Sequence, residues 1–167
     1  MRPFASVLMA LALAAPVAVQ AQAAFERPKC PAADTTPGAE SRCIRDVRKQ
    51  WQEANFAALQ KTGLVFKYMA RPDVEASPAA KAVLEQKTEG SFTVRFSVAP
   101  DGTVYNAAAV DVTDGMAPLA KLWADTISQW TFLKTAAAVT DLEHRRIYMY
   151  PADDDGESTR KAPGSSF

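Results

Sequence analysis

The chain has a single histidine, His144, and only two cysteines, Cys30 and Cys43. These residues do not complete the ligand set of a tetrahedral metal site. The sequence also lacks a recognisable Ser or Cys nucleophile motif and a glycine-rich phosphate loop. We therefore expect a protein without a catalytic centre, a metal site or a cofactor.

His144 itself has no partner arrangement typical of catalysis. It follows Glu143 in a predicted strand, so the two side chains should point to opposite faces. A catalytic histidine needs a nucleophile and an orienting group within reach. The pattern favours a structural or surface histidine.

The chain also has no excess charge of either sign. Its 19 Lys and Arg residues are balanced by 19 Asp and Glu residues. Such a balance gives no global field that would attract nucleic acid or acidic lipid, so nucleic acid is not an expected partner. The length of 167 residues suits a single domain, and 48% hydrophobic residues can supply its core.

The one long apolar run lies at the amino terminus, over residues 4–19. A basic start, an apolar run and small residues form the pattern of a cleavable signal peptide, with cleavage before Gln22 or Ala24. An uncleaved anchor is the alternative. The run contains Pro16 and is shorter than the about 20 residues that a spanning helix needs. We predict a signal peptide over residues 1–23, a periplasmic location and no membrane span in the mature form.

The two cysteines have a natural interpretation in that compartment. An even number of cysteines in an oxidising space indicates a bridge, here Cys30–Cys43. The bridge would tie the N-terminal segment to the structure that holds Cys43. Two free buried thiols are the alternative.

Hydrophobic periodicity predicts the secondary structure of the mature chain. Helical spacing, strand alternation and turn residues such as Asp101-Gly102 mark the elements. In chain order these are a helix over residues 38–61, a weak strand over 64–69, a helix over 78–87, strands over 92–98 and 103–112, a helix over 117–130 and a strand over 142–150.

This order predicts an α+β fold: a three-stranded antiparallel sheet with helices packed on one face, plus an extra N-terminal helix. The alternating residues Phe92, Val94, Phe96 and Val98 should form the buried side of the first sheet strand. We divide the mature chain into an N-terminal extension over residues 24–76, a domain over 77–151 and a disordered tail over 152–167.

Several motifs of the predicted domain occur together in one known family. The chain resembles the C-terminal domain of the TonB family of energy-transducing envelope proteins over residues 77–151. The family pattern is a glycine, an alternating strand, an Asp-Gly turn and a helix that ends in Trp-x-Phe. The residues that carry the resemblance are Ser77-Pro78-Ala79-Ala80, Gly90–Val98, Asp101-Gly102-Thr103-Val104 and residues 127–132.

The resemblance implies recognition of a protein partner. TonB-like domains accept an extended segment of a partner at a sheet edge, by β-strand addition. TonB proteins keep an uncleaved anchor and a Pro-rich spacer, which this chain lacks. We therefore expect a free periplasmic binder of an envelope or outer-membrane protein, linked to TonB-dependent transport, and not a transducer of energy.

The last predicted strand, over residues 142–150, is the candidate edge for that partner. We predict partner binding by Glu143, Arg145, Arg146, Tyr148 and Tyr150. A strand whose charges merely protect the edge is the alternative. An inhibitor or immunity protein against a secreted toxin is a second hypothesis for function. An open edge would also permit a homodimer.

Overall fold

The computed structural model describes residues 25–30 and 38–151. The signal peptide predicted for residues 1–23 and the tail predicted for 152–167 lie outside the described residues. Within the described part the chain forms helices and strands in an α+β arrangement. The elements are α1 (Ala39–Lys61), β1 (Phe66–Tyr68), α2 (Pro78–Glu85), β2 (Gly90–Val98), β3 (Val104–Val110), α3 (Ala117–Ile127), β4 (Thr131–Phe132) and β5 (Val139–Tyr148).

The predicted three-stranded antiparallel sheet is confirmed, with strand order β3-β2-β5. The alternating residues of the central strand β2 face the core, because every second side chain of a strand points to the same side. Phe92, Val94, Phe96 and Val98 are all fully buried, as predicted. Helix α3 packs on β2 and β3, and α2 packs on α3.

A second, two-stranded sheet was not predicted as such: β1 pairs with β4 in antiparallel register. It is held against the hairpin at Gly102, whose carbonyl oxygen accepts a hydrogen bond from the Phe132 N–H at 2.8 Å. Gly102 has φ of 90°, and a Cβ there would lie 2.0 Å from the Phe132 carbonyl oxygen. Only glycine allows this close approach.

The predicted boundaries differ most from the structure at the end of α3 and at the start of β5, by three residues each. Helix α3 ends at Ile127, because the next turn tightens and the Trp130 N–H bonds to Ile127 O at 3.0 Å. Strand β5 begins at Val139, earlier than predicted, and ends at Tyr148. A bulge, with Asp141 at φ of 56°, carries the pairing with β2 past the expected start.

Helix α1 packs along β5, and the predicted disulfide Cys30–Cys43 joins its first turns to the N-terminal segment. A small apolar cluster fills the interface between α1 and β5, with Ile44, Ile147 and Met149 buried at its centre. The sequence that precedes α2 also contributes to the main core. Its buried members are Leu59, Leu64 and Ala70. The boundary at Ser77 therefore does not separate two cores.

The described residues contain no helix that is both long and apolar enough to cross a membrane. The disulfide suggests that the protein works in an oxidising compartment, because such bonds are rare where thiols are kept reduced.

Candidate functional site: two sheet edges and an aromatic pocket

The outer edge of β5, which pairs with no other strand, is covered by a side chain of α1. Asn55 is buried, and its carboxamide bonds to both peptide groups of Arg145. The Asn55 Nδ2 donates to Arg145 O at 2.9 Å, and the Arg145 N–H donates to Asn55 Oδ1 at 3.0 Å. An amide carries one acceptor and two donors, so Asn55 replaces the peptide group of a neighbouring strand.

The same covering continues towards the end of β5. Arg48 lies about two helical turns before Asn55, on the same face of α1, and donates to the Met149 carbonyl oxygen. Beyond the strand, Arg27 donates to Tyr150 O at 2.8 Å, and the Tyr150 N–H donates to a Glu89 carboxylate oxygen at 2.8 Å. Side chains of α1, of the N-terminal segment and of Glu89 thus occupy hydrogen-bonding positions at residues 145, 149 and 150.

The five side chains predicted to bind a partner are divided between the two faces of the sheet. Glu143 and Arg145 lie on the face away from α3, where the Arg145 guanidinium is 2.9 Å from the Glu143 carboxylate. Arg95 of β2 lies 3.2 Å from the same carboxylate. The hydrogen bond from Arg145 is the main cause that lowers the pKa of Glu143.

Arg146 and Tyr148 lie on the opposite face and take part in the core. The guanidinium carbon of Arg146 is 4.2 Å from the centre of the Trp123 ring. The Trp123 Nε1–H donates to the Tyr148 hydroxyl at 3.0 Å. Tyr150 follows the end of β5, where burial is the main cause that raises its pKa. Arg145, Arg146, Tyr148 and Tyr150 nevertheless line one common pocket with Arg48 and Trp51 of α1, and Glu143 is not part of it. The binding of a partner by these residues stays a prediction.

The other edge of the sheet, along β3, is open. Successive residues of a strand direct their peptide groups to opposite sides. The peptide groups of Arg145 point to α1, so those of its register partner Thr93 point to β3. The peptide groups of Val110, which is paired with Thr93, point back to β2. Ala109 and Ala107 consequently direct their N–H and C=O groups outwards. No side chain in the described part of the chain covers them as Asn55 covers Arg145.

A groove runs between this open edge and α3, with a volume of about 480 Å³. Small side chains from both elements make its walls. The alanines that line it are Ala107, Ala109, Ala117, Ala120 and Ala124. We call this feature the alanine groove. At its rim Lys121 and Asp125 form an ion pair with a distance of 2.6 Å.

Two residues with left-handed backbone limit the open edge. Asn106 has φ of 54° and Asp111 has φ of 51°. The register with β2 is interrupted beside Asn106, between the pairs of Arg95 and Ser97. Such irregularities bend an edge and end its pairing, so the straight open part is short.

An aromatic pocket of about 160 Å³ lies on the core side of β5, between α1 and α3. Its inner wall contains two indole rings and one imidazole. The His144 ring stacks on Trp123 with centroids 5.4 Å apart and meets Trp130 edge to face at 5.3 Å. Arg146 lines the same pocket, and the exposed side chains of Phe56 and Met69 form its rim.

The interior of this pocket holds an unusual histidine. Burial, followed by the positive charge of Arg146, lowers the pKa of His144 to about 3. The imidazole is therefore neutral near pH 7. Neither of its ring nitrogens has a hydrogen-bond partner within residues 25–30 and 38–151. The burial of His144 agrees with the structural role predicted for it, but no local sequence pattern predicts its unpartnered nitrogens.

Comparison with known proteins found no matching family model, no matching curated protein and no matching solved structure. The resemblance to the TonB family therefore rests on the quoted residues and stays a prediction. In the part of the chain that the structure describes, no three His, Cys, Asp or Glu residues are grouped to hold a metal ion. Within the described residues, the open sheet edge, the alanine groove and the aromatic pocket are three candidate features for function.

Proposed function

We propose that the chain is a periplasmic, non-enzymatic protein-binding module that accepts an extended segment of an envelope protein by β-strand addition. The observation that carries the proposal is the contrast between the edges. The β5 edge is occupied by Asn55, whereas the β3 edge is open at Ala107 and Ala109. The proposed binding edge is therefore β3, and not β5 as the sequence predicted.

Strand addition at β3 follows from its unpaired peptide groups. An added strand would form main-chain hydrogen bonds with Ala107 and Ala109, and these bonds supply affinity without depending on side chains. Every second side chain of the added strand would point into the alanine groove. The small alanine side chains leave room there for a large apolar side chain. The preferred segment is thus extended and apolar at alternating positions.

Two neighbouring proline substitutions test this edge. Proline has no N–H and is tolerated at sheet edges where that N–H faces outwards. Ala109→Pro should leave the fold intact and abolish binding, because it removes an outward donor. Ala108→Pro is the matched control: Ala108 pairs with Arg95 on the inner side, so its loss should lower thermal stability.

Site-specific photo-crosslinking in envelope extracts identifies the partner and its position. A photoreactive residue at Lys121, on the rim of the alanine groove, should give a discrete crosslinked product that disappears in Ala109→Pro. The same residue at Lys49 is the control, since Lys49 is equally exposed on α1. Equal crosslinking at both positions, or a product unchanged by Ala109→Pro, would contradict the proposal. A captured secreted toxin would instead support the inhibitor hypothesis.

A further inference from the structure

We propose that the aromatic pocket binds a small single-ring aromatic carboxylate. The pocket lies beside β5 and is separate from the alanine groove, so this inference is independent of strand addition at β3. It is carried by the size of the pocket, its aromatic wall and three buried nitrogen atoms without hydrogen-bond partners, Arg146 Nε and both ring nitrogens of His144.

The size and wall of the pocket fit one aromatic ring. Its volume is about 160 Å³, and an apolar cavity of about 150 Å³ is known to hold a benzene molecule. Trp123 lies roughly parallel to the His144 ring, at 27°, and Trp130 stands nearly perpendicular to it, at 87°. Trp123 already contacts His144 and the Arg146 guanidinium, so a ligand ring would contact the remaining faces and edges of these rings, both of which are favourable for aromatic contacts.

Arg146 supplies the charge that selects an anion. Its side chain is half-buried and makes no ion pair with a carboxylate of residues 25–30 or 38–151. Its Nε is buried and has no hydrogen-bond partner in that part of the chain. A guanidinium in such surroundings gains strongly from a carboxylate, because charge-assisted hydrogen bonds to that group are short and directional.

His144 supplies the second polar group. A neutral imidazole has one donor and one acceptor nitrogen, and a buried unsatisfied polar atom is unfavourable by about 1–3 kcal/mol. Its nitrogens are shielded from solvent, so a ligand reaches them only if the rim moves. The rim residues Phe56 and Met69 are 48% and 44% exposed, so an outward rotation of their side chains would break few buried contacts.

Nuclear magnetic resonance of the imidazole nitrogens tests the pocket directly, because His144 is the only histidine of the chain. Titration with phenylacetate should shift both His144 nitrogen signals in a saturable manner. Acetate lacks the ring, and benzylamine carries the opposite charge, so neither should shift them. Absence of any shift with millimolar phenylacetate would overturn the proposal. Equal shifts with benzylamine would overturn the assignment of a carboxylate.

Paired arginine variants separate the pocket from general surface charge. Arg146→Met keeps the apolar stem and removes the charge, so it should weaken phenylacetate binding about tenfold or more. Arg145→Met is the matched control, because Arg145 lies on the opposite face and should leave the affinity unchanged. Arg146→Lys restores a positive charge and should recover part of the affinity. Equal losses in Arg146→Met and Arg145→Met would contradict the assignment.

The two proposals fail in different ways. Ala109→Pro removes strand addition at β3 and should leave the phenylacetate-induced shift of His144 unchanged. Arg146→Met should remove phenylacetate binding and leave crosslinking through Lys121 unchanged. Loss of both activities in either variant would contradict the independence of the two sites.

Discussion

The two edges of the three-stranded sheet differ in how their outward peptide groups are paired. At β5 the peptide groups of Arg145 bond to Asn55, and apolar residues of α1 pack beside the strand. At β3 the peptide groups of Ala107 and Ala109 face a groove. An exposed edge is a template for pairing with another chain, so a protein normally covers or disrupts it. One edge is protected by a helix, and the other is shortened by one bulge beside Asn106.

This difference suggests a division of roles. A partner at β5 would have to displace Asn55 and the apolar contacts of Ile44 with Ile147 and Met149. At β3 no side chain of the described residues bonds to the outward peptide groups of Ala107 and Ala109. Strand addition is therefore favoured at β3, and α1 stabilises the sheet from the opposite side.

Acid should lower the free energy of unfolding, because His144 in the middle of β5 is buried in its neutral form. The pKa of His144 in the folded chain is about 3, whereas an unfolded chain has a value of about 6.5. Protons thus bind preferentially to the unfolded state, and stability falls as the pH drops below the unfolded value. Arg146, and Arg71 from the segment before α2, line the same pocket and add no negative charge.

The predicted loss from this one group between pH 7 and pH 4 is about 3 kcal/mol. Urea unfolding at a series of pH values measures it. His144→Phe keeps an aromatic ring against Trp123 and cannot be protonated, so its stability should depend less steeply on pH. Parallel pH curves for the two proteins would refute the prediction.

Removal of the disulfide should loosen the covered edge and leave the open edge as it is. The bond joins cysteines separated by 13 positions, and closure of such a loop typically stabilises a protein by about 2–3 kcal/mol. The double variant Cys30→Ser/Cys43→Ser should show faster amide hydrogen exchange at Arg145. Exchange at Ala107 and Ala109 should not change, because no α1 contact protects them. Equal acceleration at both edges would contradict the comparison.

Loss of the Asn55 side chain should have a smaller, local effect. Asn55→Ala leaves the N–H and C=O of Arg145 unpaired, which should lower the free energy of unfolding by about 2 kcal/mol. The uncovered edge should also allow concentration-dependent dimers, which analytical ultracentrifugation detects. Gln52→Ala, at an exposed position one turn earlier, is the control and should do neither. A monomeric Asn55→Ala protein of unchanged stability would show that Asn55 does not protect the edge.

Much of the fold could be predicted from local pattern. The alternation of Phe92, Val94, Phe96 and Val98 fixed the buried face of β2, and the spacing of apolar residues located the helices. The strands β1 and β4 were harder, because two or three residues carry no periodicity. Their pairing depends on the approach of Phe132 to Gly102, which is a contact between distant parts of the chain.

The site depends on long-range contacts to a greater degree. Nothing local marks Asn55 as an edge-covering residue, since an asparagine on a helix is ordinarily a solvent-exposed polar residue. In the sequence Ala107 and Ala109 only weaken the strand pattern. The groove that they line exists because α3 packs beside β3, which is a contact that no local pattern predicts. His144 was expected to be structural, but its unpartnered nitrogens depend on the surrounding tryptophans.

The bond between Asn55 and Arg145 also has a consequence for how the protein reaches its folded state. The two residues are 90 positions apart in the chain. Contacts of such separation form late, since the entropy of closing a long loop must be overcome first. During folding the β5 edge is therefore exposed for longer than in the finished protein, and chains that meet in that interval can pair there. The edge that is protected in the folded sheet is thus unprotected while the sheet is being assembled.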